Sequence, residues 1–272
     1  MAESSSCKDL SIGETLRVRN TPSKSKTGIE MKYTLKRISN SAYDIYLNPN
    51  FKYGKGYDGP FPKTGEKKIK KRELNKFINK QYRARAQRCF EALGPKLYDG
   101  YYRKLNLKIW EKGQHTDIAK PPKVNIKIVE SGARSNSRNY SATVTCATIV
   151  HEAFHLLGLV DEYEEKWNNW NPNILSRIFK PFSDDSDLLA FNCRSIGSDI
   201  SIMRNSYLAA YNRNVLHSKH VDTIIYPNCE KKNDTFYRCS KNAYRTSKGN
   251  GGVFGCRKNT PDICQTSQWY GI

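Results

Sequence analysis

HEAFHLLGLVDEY, residues 151–163, sets two histidines four positions apart, with a glutamate directly after the first. On an α-helix, residues four apart lie about 40° apart around the axis, so His151 and His155 project from one face. At that spacing two imidazole nitrogens reach a single Zn2+ at roughly 2.0–2.1 Å. Glu152 leans over the same side, where its carboxylate meets a metal-polarised water and not the metal itself. Ile149, Val150, Phe154 and Leu157 cover the other surfaces and bury the helix, and exclusion of water strengthens electrostatics there. Gly158 adopts positive φ at little cost, so it can end the helix and reverse the chain. That reversal can return Asp161 beneath the metal as third ligand, leaving a fourth position for water as in catalytic zinc sites. The register after such a turn leaves Glu162 open as an alternative. His217 and His220, three apart in VLHSKHVDTII, are further candidates.

Outward from this helix, the pattern alternates between periods of two and 3.6. Short β segments are predicted at Thr15–Asn20, Glu30–Ile38 and Ala42–Tyr53, separated by the turn-rich TPSKSKTG. From Ile69 to Leu93 the apolar residues Leu74, Phe77, Ile78, Tyr82, Ala86, Cys89, Phe90 and Leu93 form one helical stripe. Gly94 and Pro95 stop that helix. Strand candidates follow at Leu105–Trp110, Val124–Val129 and Tyr140–Thr145, then the helix Ala147–Leu157. Two later helices are predicted at Ile174–Phe179 and Val215–Ile225. Strands, a long helix, more strands and a second helix predict an α+β fold, with two helices packed on one face of a mixed sheet.

HExxHxxGxxD over 151–161, followed by the methionine-containing Ser201-Ile202-Met203-Arg204, resembles the metzincin clan of zinc metallopeptidases. The likeness is to the variant with aspartate as third ligand, of the snapalysin-like or bacterial IgA-protease-like kind. It implies a zincin-type mixed sheet with a backing helix and an active-site helix, and Met203 as an apolar floor beneath the ligands His151, His155 and Asp161. It further implies hydrolysis of a protein or peptide substrate by a Zn2+-activated water, with Glu152 as general base. Several relatives carry a tyrosine two residues after the methionine; here Asn205 stands there, and Tyr207 is the nearest tyrosine. The likeness spans roughly residues 64–225, giving a catalytic domain at 64–228 between a β-rich segment, 1–63, and a Cys-rich tail, 229–272. Two other readings share the motif. One is a zinc amidase acting on a non-protein amide of the cell-wall type. The other is a basic polyanion-binding protein whose zinc site is not catalytic; an intact Glu152 weighs against it.

Charge is distributed unevenly along the chain. Of the formal net +20, residues 1–120 contribute 27 Lys/Arg against 12 Asp/Glu, whereas 151–200 holds 4 basic and 9 acidic residues. The basic half is a candidate dock for an anionic surface or polyanion. Asp184, Asp185 and Asp187 lack the alternating ligand loop of a calcium site and read as an acidic loop. The 8 cysteines include no close CxxC pair, which argues against a zinc finger or redox dithiol. It favours disulfides, and hence a secreted, periplasmic or extracellular protein. Cys229, Cys239, Cys256 and Cys264 read as staples of the tail, and Cys7 as a disulfide partner or a latency thiolate. No stretch approaches the length of a membrane span.

Overall fold

The computed structural model describes residues 9–21, 30–62, 69–159, 201–203, 215–227, 244–246 and 255–257. The fold is α+β, built on a six-stranded mixed sheet. Strands β1 (Thr15–Asn20), β2 (Met31–Arg37) and β3 (Ala42–Tyr53) form an antiparallel meander. Helix α1 (Lys71–Leu93) then crosses to β4 (Lys104–Ile109), which lies parallel to β3. Strands β5 (Lys123–Val129) and β6 (Asn139–Ser141) extend the parallel part, and α2 (Cys146–His155) carries the motif histidines. A later helix, α3 (Ser218–Ile225), and a small antiparallel pair, β7 (Tyr244–Thr246) with β8 (Gly255–Arg257), complete the described elements. The expected helix at 174–179 lies outside the described residues, as do Cys7, Cys193, Cys229, Cys239 and Cys264.

The 12-residue β3 is the organising strand. Residues 43–46 pair with both β2 and β4, so both edges are occupied there. Both pairings end by Leu47, and residues 48–53 pair with β5 alone. This explains how Pro49, which has no N–H, sits in a central strand. The second edge of this half is satisfied by side chains of α1. Asn79 and Asn75 accept from the N–H of Phe51 and Tyr53 at 2.9 and 2.8 Å, and Arg83 donates to the Pro49 carbonyl at 2.6 Å. Asparagines four apart thus stand in for a neighbouring strand.

Alternate residues of β3 point to opposite faces. Tyr43, Ile45, Leu47 and Phe51 join the main core with Ile78, Tyr82 and Phe90 of α1. On the other face Asp44, Tyr46 and Asn48 are buried beneath the 110–122 connection. There Asn48 donates to the Pro121 carbonyl, Thr34 donates to Ala119, and the Tyr46 ring meets His115 at 4.9 Å. Lys108 ion-pairs with Asp44, so the buried carboxylate keeps a cation.

Several boundaries depart from the sequence reading. Helix α1 begins at Lys71, not Ile69, and Phe77 is half-buried at the margin of its stripe. Gly94 ends it in a right-handed conformation and leads into a 3-10 turn, Gly94–Lys96, so the glycine is not a left-handed stop. The strand expected over Tyr140–Thr145 is only Asn139–Ser141, because the Val144 N–H folds back onto the Ser141 carbonyl before α2 starts. Strands β1 to β3 of the segment 1–63 belong to the same six-stranded sheet as β4 to β6 and share its core. Among the described residues, no helix is long and apolar enough to cross a membrane.

Candidate metal centre

Helix α2 starts where Thr145, in extended conformation, accepts from the Thr148 N–H at 3.2 Å, an N-cap bond that satisfies one orphan donor of the first turn. Beyond that turn the helix is buried all round, from Ile149 to His155. A disulfide joins Cys146, its first residue, to Cys89 in the apolar stripe of α1.

The other end is closed by a Schellman turn. Leu159 N–H bonds back to the Phe154 carbonyl and Gly158 N–H to His155, at 3.1 Å each, with Gly158 at φ +93°. A Cβ placed on Gly158 would lie 2.8 Å from the Met31 methyl, so β2 packs directly on this turn. Lys32 N–H, which β3 does not engage, donates to the Leu156 carbonyl at 2.9 Å and fixes the helix end on the sheet.

These contacts aim the motif side chains. His151, Glu152 and His155 are all buried, none more than 7% exposed, and their potential ligand atoms lie within 4.8 Å of one another. The two rings stand nearly perpendicular, 86°, with centroids 4.9 Å apart. A Glu152 carboxylate oxygen lies 3.9 Å from His155 Nε2.

Each imidazole is oriented by a backbone carbonyl. His151 Nδ1 lies 2.8 Å from the Ile202 oxygen, and His155 Nδ1 lies 2.8 Å from the Leu159 oxygen. A carbonyl only accepts, so both Nδ1 atoms carry a hydrogen, and in the neutral form of each ring the lone pair lies on Nε2. This is the outer-shell arrangement that fixes tautomer and basicity in metal-binding histidines. The donor set therefore fits a metal ion such as Zn2+: two imidazoles oriented through Nδ1, beside a buried carboxylate.

Ser201, Ile202 and Met203 are almost wholly buried, and the Met203 N–H is held by Ser201 Oγ at 3.1 Å. Ile202 N–H donates to Val215, whose own N–H donates to Lys96 after α1. Main-chain bonds thus tie this segment to the end of α1, and the His151 side chain joins it to α2 through the Ile202 carbonyl, 51 residues away in sequence. Asp161, Glu162, Asn205 and Tyr207 lie outside the described residues, as do Asp184, Asp185 and Asp187. Of the further candidates, His217 caps the start of α3, where its N–H donates to His220 Nδ1 at 3.1 Å.

Sequence reasoning missed two contributors. One is the pair of carbonyls, at Ile202 and Leu159, because a backbone acceptor has no residue signature. The other is Tyr140, read only as a strand residue. Burial raises its hydroxyl well above the ordinary tyrosine range, and the negative charge of Glu152 raises it further.

Comparison with protein-family models, curated proteins and solved structures found no match to this chain.

Proposed function

We propose that this chain is a zinc-dependent metallopeptidase of metzincin type, with His151 and His155 as metal ligands and Glu152 as general base. The observation that carries the reading is the pair of imidazoles locked through Nδ1 onto carbonyls, with the Glu152 carboxylate buried beside them. The metzincin assignment draws added support from Met203, whose turn supplies one of those carbonyls. Asp161 is proposed as the third ligand on the sequence motif.

Zn2+ bound here supplies a Lewis acid that acidifies water and polarises the scissile carbonyl. The residues do the rest. The two carbonyls keep each hydrogen on Nδ1, so Nε2 is the nitrogen each ring would offer to the metal. The Glu152 carboxylate takes the proton of the attacking water and delivers it to the nitrogen of the leaving amine. Ile149, Val150, Phe154 and Leu157 bury the rest of the helix, and the motif side chains are themselves buried, which strengthens each charge interaction among them.

The test is Glu152→Gln beside wild type, with zinc content and cleavage of a peptide library measured together. The variant should keep about one zinc per chain and its fold, while cleavage falls by about 10²–10⁴-fold. Wild-type cleavage by the variant would refute the general-base role. Absence of bound zinc in wild type, with zinc supplied throughout, would refute the metal centre.

A further inference from the structure

The stripe of α1 turned away from the core borders a cleft. This cleft, of about 690 Å³, runs between the helix and the end of β4 with its following turn. Its helical wall presents Lys76, Lys80 and Arg83, spaced so that they share one face. Lys108, Gln114 and His115 line the facing wall. It shares no residue with the metal cluster and does not depend on the peptidase reading.

The lining cations divide into two kinds. Arg83 is committed to the fold: it donates to Glu111 at 2.9 Å and to the carbonyls of Pro49 and Trp110. Lys108 is committed to Asp44. Lys76 and Lys80 are exposed, and no ion pair joins either to a carboxylate among the described residues. Like charges one turn apart repel, and an anion held between them removes that repulsion. Around them the cleft offers hydrogen-bonding groups of both senses. The Asn79 amide, its oxygen fixed by Phe51 N–H, brings its NH2 group, and Glu91 brings a carboxylate that accepts from hydroxyls.

We propose that this cleft binds a sulfated oligosaccharide, with Lys76 and Lys80 as its anion-binding pair. The volume lies within the range of small-ligand clefts, so a few sugar units fit. No Phe, Tyr or Trp lines it, so nucleobases find little stacking surface beyond His115 and Arg83. Set one turn apart along a single helix, the two lysines match charges that repeat along a narrow chain. Anionic groups on sugar rings meet both lysines while ring hydroxyls meet the amide and carboxylate groups.

The experiment uses the full chain and a fluorescent heparin-type hexasaccharide, with a neutral dextran oligosaccharide, a 20-nucleotide DNA strand and phosphatidylglycerol vesicles as comparison probes. Lys76→Gln with Lys80→Gln is set against Lys70→Gln with Lys71→Gln, which changes the net charge equally at the start of α1, outside the cleft. The hexasaccharide should bind one per chain, more weakly as salt rises. The first pair should lower affinity about tenfold or more and the second less than threefold. Bound hexasaccharide should also shield Lys76 and Lys80 from acylation in the wild-type chain, a readout that needs no variant to fold. Equal loss from both pairs would reduce the effect to overall charge and overturn the site. So would no binding at low salt, binding of dextran as tight as that of the hexasaccharide, or tighter binding of DNA or vesicles through Lys76 and Lys80.

Discussion

Gly158→Ala tests how the end of α2 is built. At φ +93° an L-residue is strained, at a cost of about 1–2 kcal/mol. The new Cβ would also meet three Met31 side-chain atoms at 2.8, 2.9 and 3.2 Å. Met31 is fully buried, so it has little room to retreat, and overpacking of this kind costs about 1–3 kcal/mol. The sum is about 2–5 kcal/mol, a fall in Tm of roughly 5–15 °C for a chain of this size. Zinc affinity should fall too, because the turn carries the Leu159 carbonyl that holds His155. The assay is thermal unfolding and zinc content for Gly158→Ala, Met31→Ala and the double variant. Met31→Ala removes the clash and leaves the dihedral strain, so the two changes should be non-additive, the double variant being about 1–3 kcal/mol more stable than the sum of the singles. Wild-type Tm and zinc content in Gly158→Ala would refute the turn's role. Strict additivity would refute the clash with Met31.

Replacing Cys89 and Cys146 by alanine opens a loop of 57 residues, for which chain-entropy reasoning gives about 4 kcal/mol, measured as a lower urea midpoint; an unchanged midpoint would contradict it. Burial raises the Tyr33 hydroxyl well above its ordinary range. Its neutral form therefore favours the fold fully below the unfolded tyrosine value, about 10, and that contribution fades as pH rises beyond it. Tyr33→Phe should lose the bond to the Ile224 carbonyl, about 1 kcal/mol at neutral pH, and show a shallower alkaline decline; equal alkaline slopes would contradict the assignment. Thr145→Ala should cost about 1 kcal/mol by uncapping α2 while zinc content stays constant; loss of zinc would mean the cap positions the histidines.

The elements most visible in the sequence are those whose side chains repeat. Strands β1 and β3 have the bounds that alternation predicts, and the stripe of α1 is buried from Leu74 to Leu93. Partnership is much less visible. Nothing in Ala42–Tyr53 announces that its first half has two neighbouring strands and its second half one strand and a helix's asparagines. Cys89 fell on an apolar stripe, where a thiol and a half-disulfide look alike, so its bond to Cys146 could not be read. His151, Glu152 and His155 were legible because one helix face brings them together, without help from distant chain. The acceptors that orient the rings were not, since they are main-chain atoms placed by Gly158 and by the turn at Met203.

The asparagines that close the edge of β3 have a consequence for synthesis. As the chain emerges, β3 already has β2 beside it, but β4 and β5 are still to come. A strand with bare N–H and C=O groups invites pairing with another nascent chain. The next element to be made after β3 is α1, and it carries Asn75, Asn79 and Arg83 for that same edge. The protective helix is thus translated immediately after the strand it shields, and the interval in which one ribosome's product can cross-pair with its neighbour's is kept short by gene order alone.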